Sequence, residues 1–348
     1  MSSLTWQENE TEFLGKCPVC SSPHRFLKYK DIPDRVAQTS NVWDYHECNN
    51  CSVLYVDPRP TPETIERAYR SYFTHSVLEE RPRKHRLDRV ALGMRNDYLK
   101  WKFGHLNSPT LAAGRWLMYL VPPWLRLEWD YMARHLPQPS PERSRLLDVG
   151  CGNGDFMARA KTAGWEVTGI DLDPKAVATS RSRGLNTLLG DLASQGLPRE
   201  SFDVVTLSHV LEHVHEPRHL LREIRKLLKS SGKLWLATPN TSSLVHLHFR
   251  QHWLDICAPQ HLILFNASSL KGLLQEEGFG AIRYLPRGTH MQSHWRTSEA
   301  LRRGRSGESV FVENFTGPKW KLHYWPLELI AYLFKTYQGD IVLCARKV

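Results

Sequence analysis

From Arg145 onward the period of the hydrophobic pattern switches repeatedly. RLLDVG (145–150) is a short apolar run ending on glycine, and DFMARAKTAG (155–164) places its apolar residues at helical spacing. EVTGID (166–171) then reads as a strand and PKAVATSRSRG (174–184) as a helix. FDVVTLS (202–208) is strand-like, PRHLLREIRKLLKSSG (217–232) helical, and KLWLATPN (233–240) strand-like again. ASSLKGLLQEEGF (267–279), AIRYLP (281–286) and DIVLCARKV (340–348) close the series. Such alternation predicts a parallel sheet with helices on both faces. Local signals agree, since Asp173 before Pro174 is a helix start and Gly184 a helix stop.

Two blocks precede this one. Residues 1–60 carry four cysteines in two pairs. Residues 61–142 open with Thr61-Pro62, a helix-cap pattern, continue with aromatic residues and arginines at helical spacing, and end in the Pro- and Ser-rich PQPSPERS (137–144). The third block, 143–348, contains one unusual stretch. About fifty residues, roughly 287–339, separate AIRYLP from the final strand and include the aromatic, basic KWKLHYWPLELIAYLFKTYQ (319–338). Insertions of that length are usually functional or carry structure of their own.

The chemistry concentrates at LLDVGCGNGDF (146–156). A strand delivers the chain into Gly150, Gly152 and Gly154, which permit unusual dihedrals and close approach of a ligand to the backbone. The amides of the following helix point at the same place. The spacing is G-x-G-x-G, not the G-x-G-x-x-G of dinucleotide sites. Asp148 precedes the loop, and Asp171 ends the next strand, where a carboxylate can accept two ribose hydroxyls. Asp191, in GDL (190–192), ends the third strand region.

Together these residues resemble class I S-adenosylmethionine-dependent methyltransferases, over about residues 143 to 348. The resemblance implies a Rossmann-like α/β fold: a seven-stranded sheet with an antiparallel last strand, here 341–347, preceded by a small ribbon and a helical segment. It implies S-adenosylmethionine as cofactor. Asp148 and the loop Gly150, Cys151, Gly152 and Gly154 would face its methionine end. Asp171 with Leu172 would lie at the ribose, Asp191 and Leu192 at the adenine, and Ser208 and His209 near the cofactor. Cys151 reads as a small filler rather than a nucleophile.

Methyl transfer is mainly a positioning problem, but a hydroxyl acceptor needs a base. LEHV (211–214) resembles the ubiquinone-pathway O-methyltransferases. WLDICAPQHLILF (253–265) resembles the H-L-x-x-F segment of many small-molecule methyltransferases. These likenesses make His213 and His261 the candidate catalytic residues. A nearby divalent metal is conceivable for such a His/Glu group, yet no spacing demands one.

Cys17, Cys20, Cys48 and Cys51 form Cys-x2-Cys-x27-Cys-x2-Cys, a spacing that suits tetrahedral Zn2+ bound by thiolates. Four ligands leave no open position, so the expected zinc role is structural. The segment from Tyr45 to Phe73 resembles the N-terminal ribbon of bacterial methyltransferases that act on small molecules.

Composition adjusts the picture only slightly. The chain has 348 residues, 41% hydrophobic and 24% charged, an ordinary globular balance. Net charge is +10 and there are twelve tryptophans, which favours anionic partners or a membrane face. The N-terminus lacks the basic and apolar regions of a signal peptide, and the longest apolar run, Trp116 to Leu125, is too short to span a bilayer. The expectation is a cytoplasmic protein, at most peripheral at the inner membrane surface, that methylates oxygen or carbon of a small-molecule acceptor. Two other readings stand beside it. An RNA methyltransferase would use the ribbon to hold nucleic acid, although no N/D-P-P-Y/F step follows the fourth strand. A non-catalytic scaffold would keep only the cofactor fold.

Overall fold

The computed structural model describes residues 5–35, 39–69, 86–121, 123–140, 142, 144–288, 291–305, 326–327 and 329–348. Part of the expected insertion, 306–325 with Lys319 and Lys321, lies outside the described residues. In the N-terminal block the strands are β1 (Thr11–Glu12), β2 (Arg25–Pro33), β3 (Val42–Cys48), β4 (Leu54–Val56) and β5 (Arg59–Pro60). Thr61-Pro62 opens a turn that leads into a 3-10 helix at Ile65–Tyr69. Helices α1 (Arg86–Phe103), α2 (Gly114–Leu117) and α3 (Pro123–Met132) follow.

The large sheet begins with β6 (Arg145–Val149), α4 (Asp155–Thr162), β7 (Glu166–Asp171), α5 (Pro174–Ser182) and β8 (Asn186–Leu189). It continues with β9 (Phe202–Ser208), α6 (Pro217–Leu227), β10 (Leu228–Pro239) and α7 (Leu244–Phe249). Then come β11 (Ile263–Leu264), α8 (Ala267–Glu276), β12 (Phe279–Tyr284), α9 (Met291–Arg302) and β13 (Asp340–Lys347). Strand order is β12-β13-β10-β9-β6-β7-β8. Neighbours from β10 to β8 are parallel, while β13 is antiparallel to both β10 and β12. This is the seven-stranded Rossmann-like sheet with an antiparallel last strand that the sequence predicts.

The fold departs from the sequence pattern at one boundary. The helical pattern runs to Gly232, but α6 stops at Leu227. Leu228 is fully buried and pairs with Phe202, and the register slips between Leu228 and Lys233. Burial of that leucine in the sheet outweighs the helical periodicity of the exposed residues after it. At α5 the local signals hold: the Asp173 carboxylate accepts from the Lys175 amide at 2.8 Å, and Gly184 takes φ +71°.

The N-terminal strands join the rest through a second sheet of order β11-β4-β3-β2. Its outer strand, β11, comes from the segment after β10, with Ile263 opposite Tyr55 and Leu264 opposite Leu54. One apolar cluster joins Cys17, Val19, Cys48, Val53 and Tyr55 to Leu147, Val205 and Leu262. Another joins Trp43, Tyr45 and Val56 to Val245, Trp253 and Ile256. The ribbon is therefore packed into the core. Among the described residues no helix is long and apolar enough to cross a membrane.

Candidate functional site

The carboxyl ends of β6, β7, β8 and β9 form one edge, where a cleft ligand of an open α/β sheet binds. Gly150, Gly152 and Gly154 all take positive φ, +69°, +54° and +81°. Two of them are also fixed by packing. A Cβ on Gly150 would meet Val210 Cγ2 at 2.4 Å, and one on Gly154 would meet Leu185 Cδ1 and Ser180 Oγ at 2.5 Å. The amides of Gly150 and Cys151 donate to the Ile170 carbonyl at 2.8 and 3.1 Å, tying the loop to β7.

Asp171 Oδ2 accepts from the Gly152 amide at 2.7 Å and Oδ1 from the Asp173 amide at 2.9 Å. Its carboxylate both shapes the loop and keeps lone pairs for other donors. Burial raises its pKa, against those amide bonds. The next side chain, Leu172, is 72% exposed, an apolar surface beside the carboxylate that suits a flat ring. Asp191 is exposed and caps the following turn through the Ser194 amide at 3.0 Å, while Leu192 is buried. Cys151 is buried, and desolvation with the charges of Asp148 and Asp171 pushes its thiol pKa up, so it is a poor nucleophile.

Asp148 is fully buried and ion-paired to Arg134, and Thr206 Oγ1 donates to it at 2.9 Å. Arg134 lies 3.6 Å over the Phe156 ring. Burial raises the Asp148 pKa, and Arg134 opposes the rise. The sequence reading did not pick out Arg134 or Thr206.

A second group stands at the ends of β9 and β10. Ser208 ends β9, and His209, at φ +54°, follows it. His209 Nδ1 is 3.2 Å from Glu212 Oε1, and its Nε2 is 3.7 Å from Asp340 Oδ2. Burial opposes its charge, but Tyr131, Asp340 and Glu212 outweigh that and hold its pKa well above the usual value. Glu212 is buried. Desolvation disfavours its charge, yet the bond from His209 brings its pKa down to about 2. His209 and Glu212 thus form an ion pair at neutral pH, which removes His209 as a base.

The rings of His213 and His261 meet edge to face at 4.7 Å. His213 Nδ1 is 2.8 Å from the Gln260 carbonyl, and His261 Nδ1 is 2.8 Å from the Asp255 carbonyl. A carbonyl only accepts, so in both rings Nδ1 carries a hydrogen and Nε2 is the nitrogen left to act as a base. Desolvation, then the neighbouring His261, lowers the His213 pKa to about 4, so it is neutral near pH 7. Tyr69 Oη lies 3.0 Å from His213 Nδ1 and 3.2 Å from the Gln260 carbonyl. Ligand atoms of Glu212, His213 and His261 fall within 4.8 Å of one another, a spacing open to a cation.

The four N-terminal cysteines form a separate centre. Their Sγ atoms lie within 4.8 Å of one another, with Cys17–Cys51 at 3.6 Å and Cys20–Cys48 at 3.5 Å. Tetrahedral zinc with bonds of about 2.3 Å needs sulfurs about 3.8 Å apart, so the thiols fit the ion. Two equivalent turns hold them. Cys17 N donates to Ser22 O and Ser21 N to Cys17 O; Cys48 N donates to Val53 O and Ser52 N to Cys48 O. Ser21 and Ser52 both take positive φ.

Comparison with known proteins bears on this arrangement. A family model described as a methyltransferase domain matches residues 126–284. The chain is similar to a ubiquinone biosynthesis O-methyltransferase of Xanthomonas oryzae pv. oryzae (strain PXO99A), 40% identical over 120 residues, 32% of this chain and 48% of the relative. The counterpart in Xanthomonas campestris pv. campestris (strain B100) is 37% identical over the same length and shares. The chain spans about half the length of the curated relatives it matches. Among solved structures, a SAM dependent methyltransferase from Archaeoglobus fulgidus superposes with TM-score 0.42 at 21% identity, over 59% of this chain and 87% of that one. Geranyl diphosphate C-methyltransferase from Streptomyces coelicolor A3(2) superposes with TM-score 0.43 at 15% identity, over 63% and 76%.

Proposed function

Because the chain contains a class I S-adenosylmethionine-dependent methyltransferase domain, we propose that it transfers the cofactor's methyl group to the oxygen of a small-molecule acceptor. The observation that carries this reading is the pair His213 and His261, whose rings meet at 4.7 Å after β9 and before β11, each with Nδ1 on a backbone carbonyl. Asp171 and Leu172 would take the ribose and adjoining ring, and Gly150 to Gly154 the methionine end. S-adenosylmethionine supplies a methyl group on a sulfonium, which leaves as a neutral thioether. His213 or His261 Nε2 would accept the acceptor's proton as its oxygen attacks. Tyr69 and the Gln260 carbonyl would keep His213 in the required tautomer.

The ribbon is read as a structural zinc site of Cys17, Cys20, Cys48 and Cys51, supported by the sulfur spacing. Free cysteines throughout the described residues fit a reducing, cytoplasmic setting. A peripheral lipid contact is supported by Leu106, Trp116 and Leu120, which are 72%, 63% and 81% exposed beside Arg115.

The test is incubation of the purified chain with S-adenosylmethionine labelled in its methyl group, with RNA and a lipid-containing small-molecule extract offered separately. Label in a small molecule supports the reading. Label confined to RNA replaces it. Cofactor binding without transfer to either pool leaves the scaffold reading in its place.

A further inference from the structure

Two hollows open between the end of α1 and the strands β10, β13 and β12. Their volumes are about 370 and 490 Å³, within the range of small-molecule sites. Lys102, Phe103, His135, Arg283 and Leu285 line both, so they adjoin. Gly150, Asp171, His213 and His261 line neither. Arg134 stands between this cleft and the cofactor motif, since it lines the larger hollow and pairs with Asp148.

The charge of the lining is one-sided. Lys335 borders the smaller hollow, and Lys233 and Arg346 border the larger. No Asp or Glu lines either among the described residues. Lys102 has an acidic partner, Asp130, at 2.7 Å. No ion pair among the described residues involves Arg283, Lys233, Lys335 or Arg346. Among the described residues Arg346 donates only to the neutral Ser231 carbonyl at 3.2 Å, and Lys335 to the Tyr284 carbonyl at 3.5 Å.

The sheet register explains why these cations converge. Trp235 lies opposite Cys344, which lies opposite Arg283. Lys233 lies opposite Arg346 two pairs along, on the same face because side chains alternate. Two rows of one sheet face therefore place cations around an apolar floor of Trp235, Cys344 and Leu285, with the Phe103 ring facing it across the cleft. Like charges gathered over a low-dielectric surface repel, and an anion among them relieves that repulsion. The floor asks in addition for an apolar or aromatic body. We propose that this cleft is a second ligand site, separate from methyl transfer, for a small organic anion: one phosphate, sulfonate or carboxylate head on a flat apolar body.

The probe is 1-naphthyl phosphate, titrated calorimetrically into the full chain without cofactor, with 1-naphthol and inorganic phosphate as the two halves of the ligand. Saturable one-to-one binding of naphthyl phosphate, at least about tenfold tighter than either half, is expected. Arg283→Glu and Lys233→Glu should each weaken it by at least about tenfold, with the milder Arg283→Ala in between. Binding of S-adenosylhomocysteine and the melting temperature should be unchanged in all three, which separates loss of the site from loss of the fold. If the wild type shows no saturable binding, the proposal falls. It falls equally if an Arg283→Glu/Lys233→Glu chain that still melts cooperatively and binds S-adenosylhomocysteine keeps full affinity, because the anion then sits elsewhere.

Discussion

Asp171 shows how one side chain serves two purposes. Its oxygens accept amides on either side, from Gly152 in the loop and from Asp173 at the start of α5. Asparagine is not a neutral replacement there, because one oxygen would become an NH2 group facing an amide donor. Both Asp171→Asn and Asp171→Ala should therefore weaken S-adenosylmethionine binding, by at least about tenfold, from loss of charge-assisted acceptors and of the loop's shape. Calorimetry settles it: wild-type affinity in either variant would move the cofactor site elsewhere. His213→Gln and His261→Gln should behave differently. Each should lower kcat with little change in cofactor affinity, by about a hundredfold if the altered ring is the base. Unchanged kcat in both would leave the base elsewhere. Legibility in sequence follows the same division. The glycines and Asp171 lie within 22 residues and announce themselves by spacing. Tyr69, Arg134 and Asp340 reach this region only through the fold, from positions far from 208–213. No local pattern marks them.

At the scale of elements, the ribbon does more than precede the sheet. Its β4 pairs with β11, two residues beyond His261, and Tyr45 Oη donates to the His261 carbonyl at 2.8 Å in a fully buried position. Arg35 donates to the carbonyls of Gln251, Trp253 and Ile256, and Tyr29 Oη bonds His246 Nε2 at 2.9 Å. All four contacts brace the segment from β10 to β11 that carries His261. The cysteine spacing is readable in the sequence, but this docking is not: nothing in HLILF, which resembles a family segment, shows that it pairs with a strand about two hundred residues upstream. Cys48→Ser should release zinc and stop methyl transfer while S-adenosylmethionine still binds, because the glycine loop and Asp171 sit on other strands. Tyr45→Phe, which keeps the thiols, should keep zinc and lose a buried hydrogen bond worth about 1–3 kcal/mol of stability. Metal analysis and a transfer assay on both variants decide the point. Full transfer by a zinc-free Cys48→Ser chain would make the ribbon dispensable to the site. The same scale holds the lipid question. Trp116→Glu with Leu120→Glu should abolish binding to vesicles containing phosphatidylglycerol, and a wild type that ignores such vesicles would end that reading.

For the whole molecule, buried histidines set the response to acid. Burial holds His105 and His135 neutral, with pKa values lowered to about 4 from 6.5. His135 Nε2 donates to the Pro286 carbonyl at 2.8 Å, tying the chain before β6 to the end of β12. Between pH 6.5 and 4 the unfolded chain protonates these rings and the folded chain does not. The unfolded state then binds more protons, so stability falls as pH falls through that window, by up to about 3 kcal/mol for each ring. His209 and His294 have the opposite sign. Their folded pKa values are raised, so their contribution is complete below pH 6.5 and is lost only as pH rises through those values. They cannot mask the acid slope. Glu212, with its pKa near 2, begins to matter only below about pH 4.5, where an unfolded glutamate takes up its proton. The interval from pH 6.5 to 4.5 therefore shows the lowered histidines, opposed in sign by the raised carboxyls of Asp148 and Asp171. The melting temperature should drop across it, and His135→Gln, whose amide can still donate to Pro286, should make the drop shallower. A drop from pH 6.5 to 4.5 as steep in His135→Gln as in the wild type would mean that the His135 ring is not held neutral by the fold.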